Sequence, residues 1–249
     1  MSQDYKDYFI KDGRHIGDYE GMYRNCPDPW NIEALGLRLD MLAALLLLDF
    51  LKGPIAKVLD LGCGAGLFSL EVIRKLSKDN KDIWFLLSDI SPTALRQAEK
   101  RLRTSDLGER GRKEALGKAG APPLGEAPPD LASLYAPEAD FLPLDLRTLP
   151  KDNPFSGKGF DLVVLAQALW GILEDLEAIL TEVRKSLSPK GALLISQHFP
   201  GDAQEYGRDI VRDPEGLKGF LRKAGFKESH SVECDRDFNH HYGGLWRSS

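Results

Sequence analysis

The chain has 249 residues, enough for one large α/β domain with a substantial core, and a formal net charge of -5. That acidic balance, with no dense Lys/Arg run, disfavours a sequence-blind grip on nucleic acid, which needs a cationic surface. Cys26, Cys63 and Cys234 are scattered without metal-ligand or redox spacing, which predicts a reducing, cytoplasmic setting and no metal centre.

The opening stretch "MSQDYKDYFIKDG" carries acids and no apolar core, so it does not read as a signal peptide. Residues 1–52 read as an arm followed by an apolar helix over 35–52, packing over the functional site. The longest apolar run in that helix, 41–48, is far short of the ~20 residues a bilayer needs. Strand and helix patterns then alternate. "IAKVLDL" (55–61) is a strand, "LFSLEVIRKL" (67–76) a helix and "IWFLLS" (83–88) a strand. Ser91 and Pro92 supply the cap and first-turn proline of a helix running to about Arg103.

Residues 104–138 break the rhythm. They are rich in Gly, Ala, Pro and charge and read as a flexible surface insertion, either a lid or a plain linker. "ADFLPLDL" (139–146) and "FDLVVLA" (160–166) are strands, "LEAILTEVRKSL" (176–187) a one-faced helix, and "GALLISQHF" (191–199) a further strand. "DPEGLKGFLRKAG" (213–225) is a capped helix ended by Gly225, and 226–235 with 241–248 form a closing antiparallel pair. The alternation predicts one α/β domain over 53–249. It is a doubly wound, Rossmann-like, seven-stranded mixed sheet with helices on both faces and a C-terminal antiparallel hairpin.

In such a sheet a ligand sits beyond the carboxyl ends of the strands, at the first strand–turn–helix. Here that turn is "DLGCGAGL". Its glycines allow a tight bend and close backbone approach, but Leu67 stands where a dinucleotide fingerprint needs its third glycine, and there is no G-K-[ST] of a P-loop. Asp60 at the mouth of the turn would repel a pyrophosphate and attract a cation.

An acid, then G-x-G-x-G, then a second acid (Asp89) closing the next strand resembles the class I S-adenosylmethionine-dependent methyltransferases, over about residues 55–200. The resemblance implies a phosphate-free, positively charged cofactor, S-adenosylmethionine. It places Asp60 and the turn Gly62, Cys63, Gly64 and Gly66 at the methionine end, Asp89 on the ribose hydroxyls and Ile90 against the adenine. Asp145 would face the adenine amine beside Leu146, and Ala166 and Gln167 would approach the sulfonium or methionine portion. Asp145 reads equally as a helix cap, and Trp170 as core. Many small-molecule members carry a histidine where this chain has Gly171, so no catalytic histidine is carried over there.

His198, in "ISQHFPG" where the fifth strand of the pattern ends, is the histidine best placed as a base or substrate contact; the alternative is a hydrogen-bonded loop histidine. His240 and His241 read as solvated residues in the turn of the last hairpin. His15 reaches the site only if the arm folds over it. The arm's "YEGMYRNCPDPWN" resembles the DPW segment of nodulation-type N-methyltransferases, which methylate an amino group on a chito-oligosaccharide. By that resemblance Tyr23 and Trp30, with Trp170 and His198, wall an acceptor pocket, and the aromatic rings can cover a sulfonium or stack on a sugar. Trp30 reads alternatively as a staple for the arm.

The expectation is a methyltransferase moving a methyl group to N or O of a small molecule by in-line displacement. An RNA or protein methyltransferase and a non-catalytic adenosylmethionine-binding module stand as alternatives. A nicotinamide dehydrogenase fails on Asp60 and Leu67. The oligomeric state is not written in the sequence.

Overall fold

A computed structural model describes residues 6–12, 14–26, 28–30, 36–78, 82–105, 139–201, 206–236 and 239–248. The expected insertion therefore lies almost wholly outside the described residues; of it only Thr104 and Ser105, at the end of a helix, and no residue between 106 and 138 are described.

The arm forms α1 (Lys6–Phe9), a two-stranded antiparallel ribbon of β1 (Ile10–Lys11) and β2 (Arg14–His15), and α2 (Tyr19–Asn25). The Asp18 side chain caps α2 by accepting from Gly21 N at 2.9 Å. Next comes α3 (Leu39–Leu47), shorter than the 35–52 expected and finished by one 3₁₀ turn, Leu48–Phe50. The body follows the predicted order. It comprises β3 (Lys57–Leu61), α4 (Leu67–Leu76), β4 (Trp84–Asp89), α5 (Pro92–Thr104), β5 (Ala139–Pro143), β6 (Phe160–Ala166) and α6 (Leu176–Ser186). β7 (Leu187–Phe199), α7 (Pro214–Lys223), β8 (Phe226–Arg236) and β9 (Asn239–Ser248) complete it.

The seven strands lie in the order β5-β4-β3-β6-β7-β9-β8. The first five run parallel, and β9 inserts antiparallel between β7 and β8. Buried apolar residues alternate along the strands. Leu59, Val163, Leu165, Leu193 and Ile195 face α6 and α7, while Val58, Leu162, Val164 and Leu194 face α3 and α4. Each such side chain contributes ~1.5–3 kcal/mol on burial, so a one-residue slip of β3 is strongly disfavoured. The slip would drive the Asp60 carboxylate into the α6–α7 core.

β7 starts at Leu187 rather than at 191, because Leu187 pairs with Phe160 ahead of an irregularity before the Leu162–Ala192 pair. Loop-like "SPK" residues are thereby carried inside a strand. No described helix is long and apolar enough to cross a membrane.

Candidate active site

A cavity of about 500 Å³ opens at the carboxyl ends of β3, β4, β6 and β7, under the arm. It is lined by every residue that the sequence assigned to the cofactor or acceptor site except Gly66, whereas His15, His240 and His241 stand outside its wall.

The glycine turn fixes one end. The N–H groups of Gly62 and Cys63 both donate to Ser88 O, at 2.8 and 2.9 Å, which ties the turn to β4. Gly64 N donates to Asp89 Oδ2 at 2.8 Å, and Ser91 N to Asp89 Oδ1 at 2.9 Å. Gly64 has φ +55°, and a Cβ there would lie 2.5 Å from Tyr23 Oη. Gly66 begins α4 at φ +76°, where a Cβ would meet Ala98 at 2.7 Å. The third glycine thus serves helix packing, which is why it stays out of the cavity wall.

Two carboxylates sit deep at this end. Asp60 is 6% exposed and Asp89 7% exposed. Burial raises the Asp60 carboxyl to about 7, against a 2.6 Å hydrogen bond from Ser69 Oγ and with help from the Asp89 charge. Burial also pushes Asp89 up, although the Ser91 and Gly64 amides favour its charged form. Among the described residues no basic side chain stands among the groups that shift either carboxyl. Buried acids in that condition favour a ligand that brings positive charge, and each Asp89 oxygen keeps a lone pair for a hydroxyl donor. A group with cationic centres, vicinal hydroxyls and no phosphate fits this end of the cavity.

The arm covers it. Glu20 of α2 accepts from Ser91 Oγ (2.6 Å), Thr93 N (3.0 Å) and Thr93 Oγ1 (2.7 Å) at the start of α5. Burial works against that carboxylate, but the Ser91 and Thr93 hydrogen bonds outweigh it and hold it at about 2. Trp30 Nε1 donates to Tyr23 Oη at 3.3 Å, and both rings border the cavity. Trp30 is therefore tied to α2 within the arm and borders the pocket at once.

Asp145 is a cap. Its carboxylate accepts from Arg147 N at 3.0 Å and from the Arg147 guanidinium at 2.7–3.1 Å, while still bordering the cavity beside Leu146. Burial opposes its ionisation, and the Arg147 hydrogen bonds overcome that and hold it low. Trp170 is only partly buried and packs edge-on against Phe199, with centroids 5.9 Å apart.

At the β6–β7 end the structure corrects one expectation, the solvated turn at His240 and His241, and for His198 it rules out the loop alternative. His198 lies within β7, not in a loop, and its ring is 4.9 Å from that of His241. Burial lowers His198 to about 4, reinforced by Arg38 and His241, so it is neutral near pH 7. His240 and His241 are in β9, not in a solvated turn, because β9 pairs His241 directly with His198. His241 Nδ1 is 2.9 Å from Asp40 Oδ1. Only His240, bound to Asp235 at the hairpin's outer end, keeps substantial exposure.

Asp40 is the residue the sequence hid. It is fully buried, accepts from Ser196 Oγ at 2.7 Å and from Gln167 Nε2, and faces Arg38 at 3.7 Å. Burial opposes its charge, yet His241, Arg38 and Ser196 hold its carboxyl below the ordinary range. Gln167 has φ +59°, a left-handed conformation unusual outside glycine, and Asp40 pins its amide there at the cavity wall. Tyr19, Arg147 and Tyr206 also line the cavity, and nothing in the sequence pattern marks them for it.

A doubly wound sheet with this antiparallel insertion, and an acid-flanked glycine turn beneath an arm, is the arrangement of class I S-adenosylmethionine-dependent methyltransferases. The family described as "Methyltransferase domain" matches residues 59–193, more than half of the chain, and the chain belongs to that family, with S-adenosylmethionine as its cofactor. Among relatives, Nodulation protein S of Sinorhizobium fredii is 22% identical over 197 residues, covering 77% of this chain and 71% of its own. The solved N-methyltransferase NodS of Bradyrhizobium japonicum, in complex with S-adenosyl-L-homocysteine, superposes with a TM-score of 0.60 at 17% identity. That match spans 100% of this chain and 98% of that one. A TehB-like S-adenosylmethionine-dependent methyltransferase of Corynebacterium glutamicum gives a TM-score of 0.57 at 17% identity, over 92% of this chain and 99% of that one.

Proposed function

We propose that the chain transfers a methyl group to a nucleophilic nitrogen or oxygen of a small acceptor. The observation that carries this reading is the cavity itself. It is one space of about 500 Å³, walled by the Asp60 and Asp89 carboxylates and by aromatic rings that include Tyr19, Tyr23 and Trp30 of the arm region. A roofed pocket suits a small molecule better than a nucleic-acid strand, and the net charge of -5 points the same way. The N-methyltransferase activity in the name of a structural relative supports nitrogen as the target atom.

The cofactor supplies an activated methyl group on a sulfonium. In this reading the Gly62–Gly64 backbone and Asp60 hold its methionine end, and Asp89 takes the ribose hydroxyls. Ile90 and Leu146 would flank the adenine, and Ala166 and Gln167 would approach the sulfonium or methionine portion. Asp145, its carboxylate occupied by Arg147, borders the adenine end as an oriented charge pair. Tyr23 and Trp30 close the roof, so alignment and water exclusion are this chain's main contributions. His198, neutral at pH 7, offers a hydrogen bond to the acceptor beside Trp170 and Gln167.

The test is a screen of glucosamine, tyramine, p-cresol, a structured RNA and a lysine-rich peptide, reading adenosylhomocysteine release. Turnover on an amine or phenol is expected. Turnover confined to RNA or peptide would replace this reading. Tight adenosylmethionine binding without turnover on any of them would leave a binding module.

A further inference from the structure

The arm brings to the pocket a tyrosine, with a histidine behind it, that the site as described leaves unused. Tyr19 of α2 lines the cavity. Its hydroxyl lies 3.0 Å from Nε2 of His15 in β2. A Cβ at Gly171 would sit 2.7 Å from the same oxygen, so the chain beyond β6 is trimmed to glycine where the phenol enters. His15 is held in turn. It stacks on Tyr206 (centroids 5.2 Å apart, 18° between planes), meets Phe9 edge-on at 5.3 Å, and stays partly open to solvent.

We propose that Tyr19 and His15 form a proton relay for this reaction, with Tyr19 the catalytic residue that touches the acceptor and His15 the positioning residue that acts through it. The proposal rests on the small-acceptor reading above. In the step, the acceptor's N–H or O–H bond breaks and its proton bonds to Tyr19 Oη. The phenol's own proton passes to His15 Nε2, and the imidazolium gives up its other ring proton, on Nδ1, to water. The nitrogen or oxygen is left with the lone pair that methyl transfer needs.

The surroundings suit a relay rather than a tyrosinate. Burial raises the Tyr19 phenol above its ordinary range, with Arg147 opposing and Asp89, Tyr206 and Asp145 adding to the rise, so the hydroxyl keeps a proton to pass on. Burial lowers His15, with Arg147 lowering it further and Glu174 opposing, so the ring is neutral and ready to accept near pH 7.

Tyr19→Phe keeps the ring and removes the oxygen. With glucosamine or tyramine, whichever the wild-type chain methylates, kcat at pH 7 is expected to fall by about 10² or more. KM and the Kd for adenosylhomocysteine should stay within about threefold. The deficit should shrink as pH rises toward the amine's own pKa, where water removes the proton unaided. A fall of equal size at every pH, or wild-type kcat in Tyr19→Phe, would overturn the relay. His15→Asn should show the same pH-dependent loss.

A second measurement needs no turnover. The His15 imidazole is titrated by NMR in wild type and in Tyr19→Phe. Identical curves would show the two groups uncoupled and end the proposal. If only RNA or peptide is methylated, the small-acceptor reading fails by that result, and the NMR comparison still judges the pair separately.

Discussion

At the β3–β4 end of the cavity, one strand–turn–helix–strand unit supplies nearly everything. Backbone amides of a glycine turn and two buried carboxylates lie close in sequence and are fixed by each other. At the β6–β7 end, Asp40, Gln167, Ser196, His198 and His241 come from four separate elements and meet only when the sheet is complete. The first end is built by local geometry and the second by tertiary closure. A cofactor common to a family suits a locally encoded cradle, whereas an acceptor pocket can vary with whichever side chains the distant elements deliver.

Breaking the tertiary end should cost most in stability. Asp40→Ala leaves His241, Ser196 and Gln167 facing an empty buried site, for an expected loss of about 3–5 kcal/mol by denaturant unfolding. A change under about 1 kcal/mol would mean the cluster is incidental. Breaking the local end should cost binding instead. Asp89→Ala is expected to weaken adenosylhomocysteine by about 2–3 kcal/mol in calorimetry. An unaltered Kd would remove Asp89 from the cradle.

The local end should also show itself through pH. Asp60 is raised to about 7, so its protonated form adds stability to the empty protein that is whole below the ordinary carboxylate range and disappears as pH climbs through 7. A ligand whose α-ammonium is held by the Asp60 carboxylate must expel that proton. Affinity for adenosylhomocysteine should therefore improve by up to about tenfold per pH unit between 5.5 and 7 and then level off, with proton release visible in buffers of different ionisation enthalpy. A flat profile would show Asp60 already ionised.

The smallest effect is expected where the arm joins the two ends. Glu20→Ala should loosen α2 by about 1 kcal/mol, discounted because the carboxylate is partly solvated, and hydrogen exchange of the α2 amides reads it directly. In the wild type this clamp is held at about 2, so its contribution is present above the ordinary glutamate range and fades only as pH falls through about 2. Faster α2 exchange already at pH 5 would contradict that.

The same contrast explains what the sequence made legible. The glycine turn, Asp60 and Asp89 could be read because their geometry is local: an apolar strand must end, glycines must bend, and a cap must follow. Asp40 reads as the polar bracket of an apolar helix, and nothing nearby announces that a strand two hundred residues later brings it a histidine. His241 reads as turn because adjacent histidines resemble a solvated tip, and only the β7–β9 register puts it beside His198. Asp145 was open between two roles, and the arginine two residues on settles how its carboxylate is occupied. Tyr19 and His15 meet locally, four residues apart, but neither is among the residues that carry the arm's resemblance, and only the docking of α2 over Gly171 brings the phenol to the cavity.

The insertion of β9 between β7 and β8 also bears on how the chain is made. As it leaves the ribosome, α3 emerges early with Asp40 unmatched, and the strand that carries its histidine emerges two hundred residues later. Until residues 239–248 are outside the exit tunnel, β7 has no neighbour on that side and the acid waits in water. Protease challenge of chains stalled short of residue 239, and of chains stalled on an added C-terminal linker long enough to carry 239–248 out of the tunnel, should therefore show protection of α3 arriving late, in a single step.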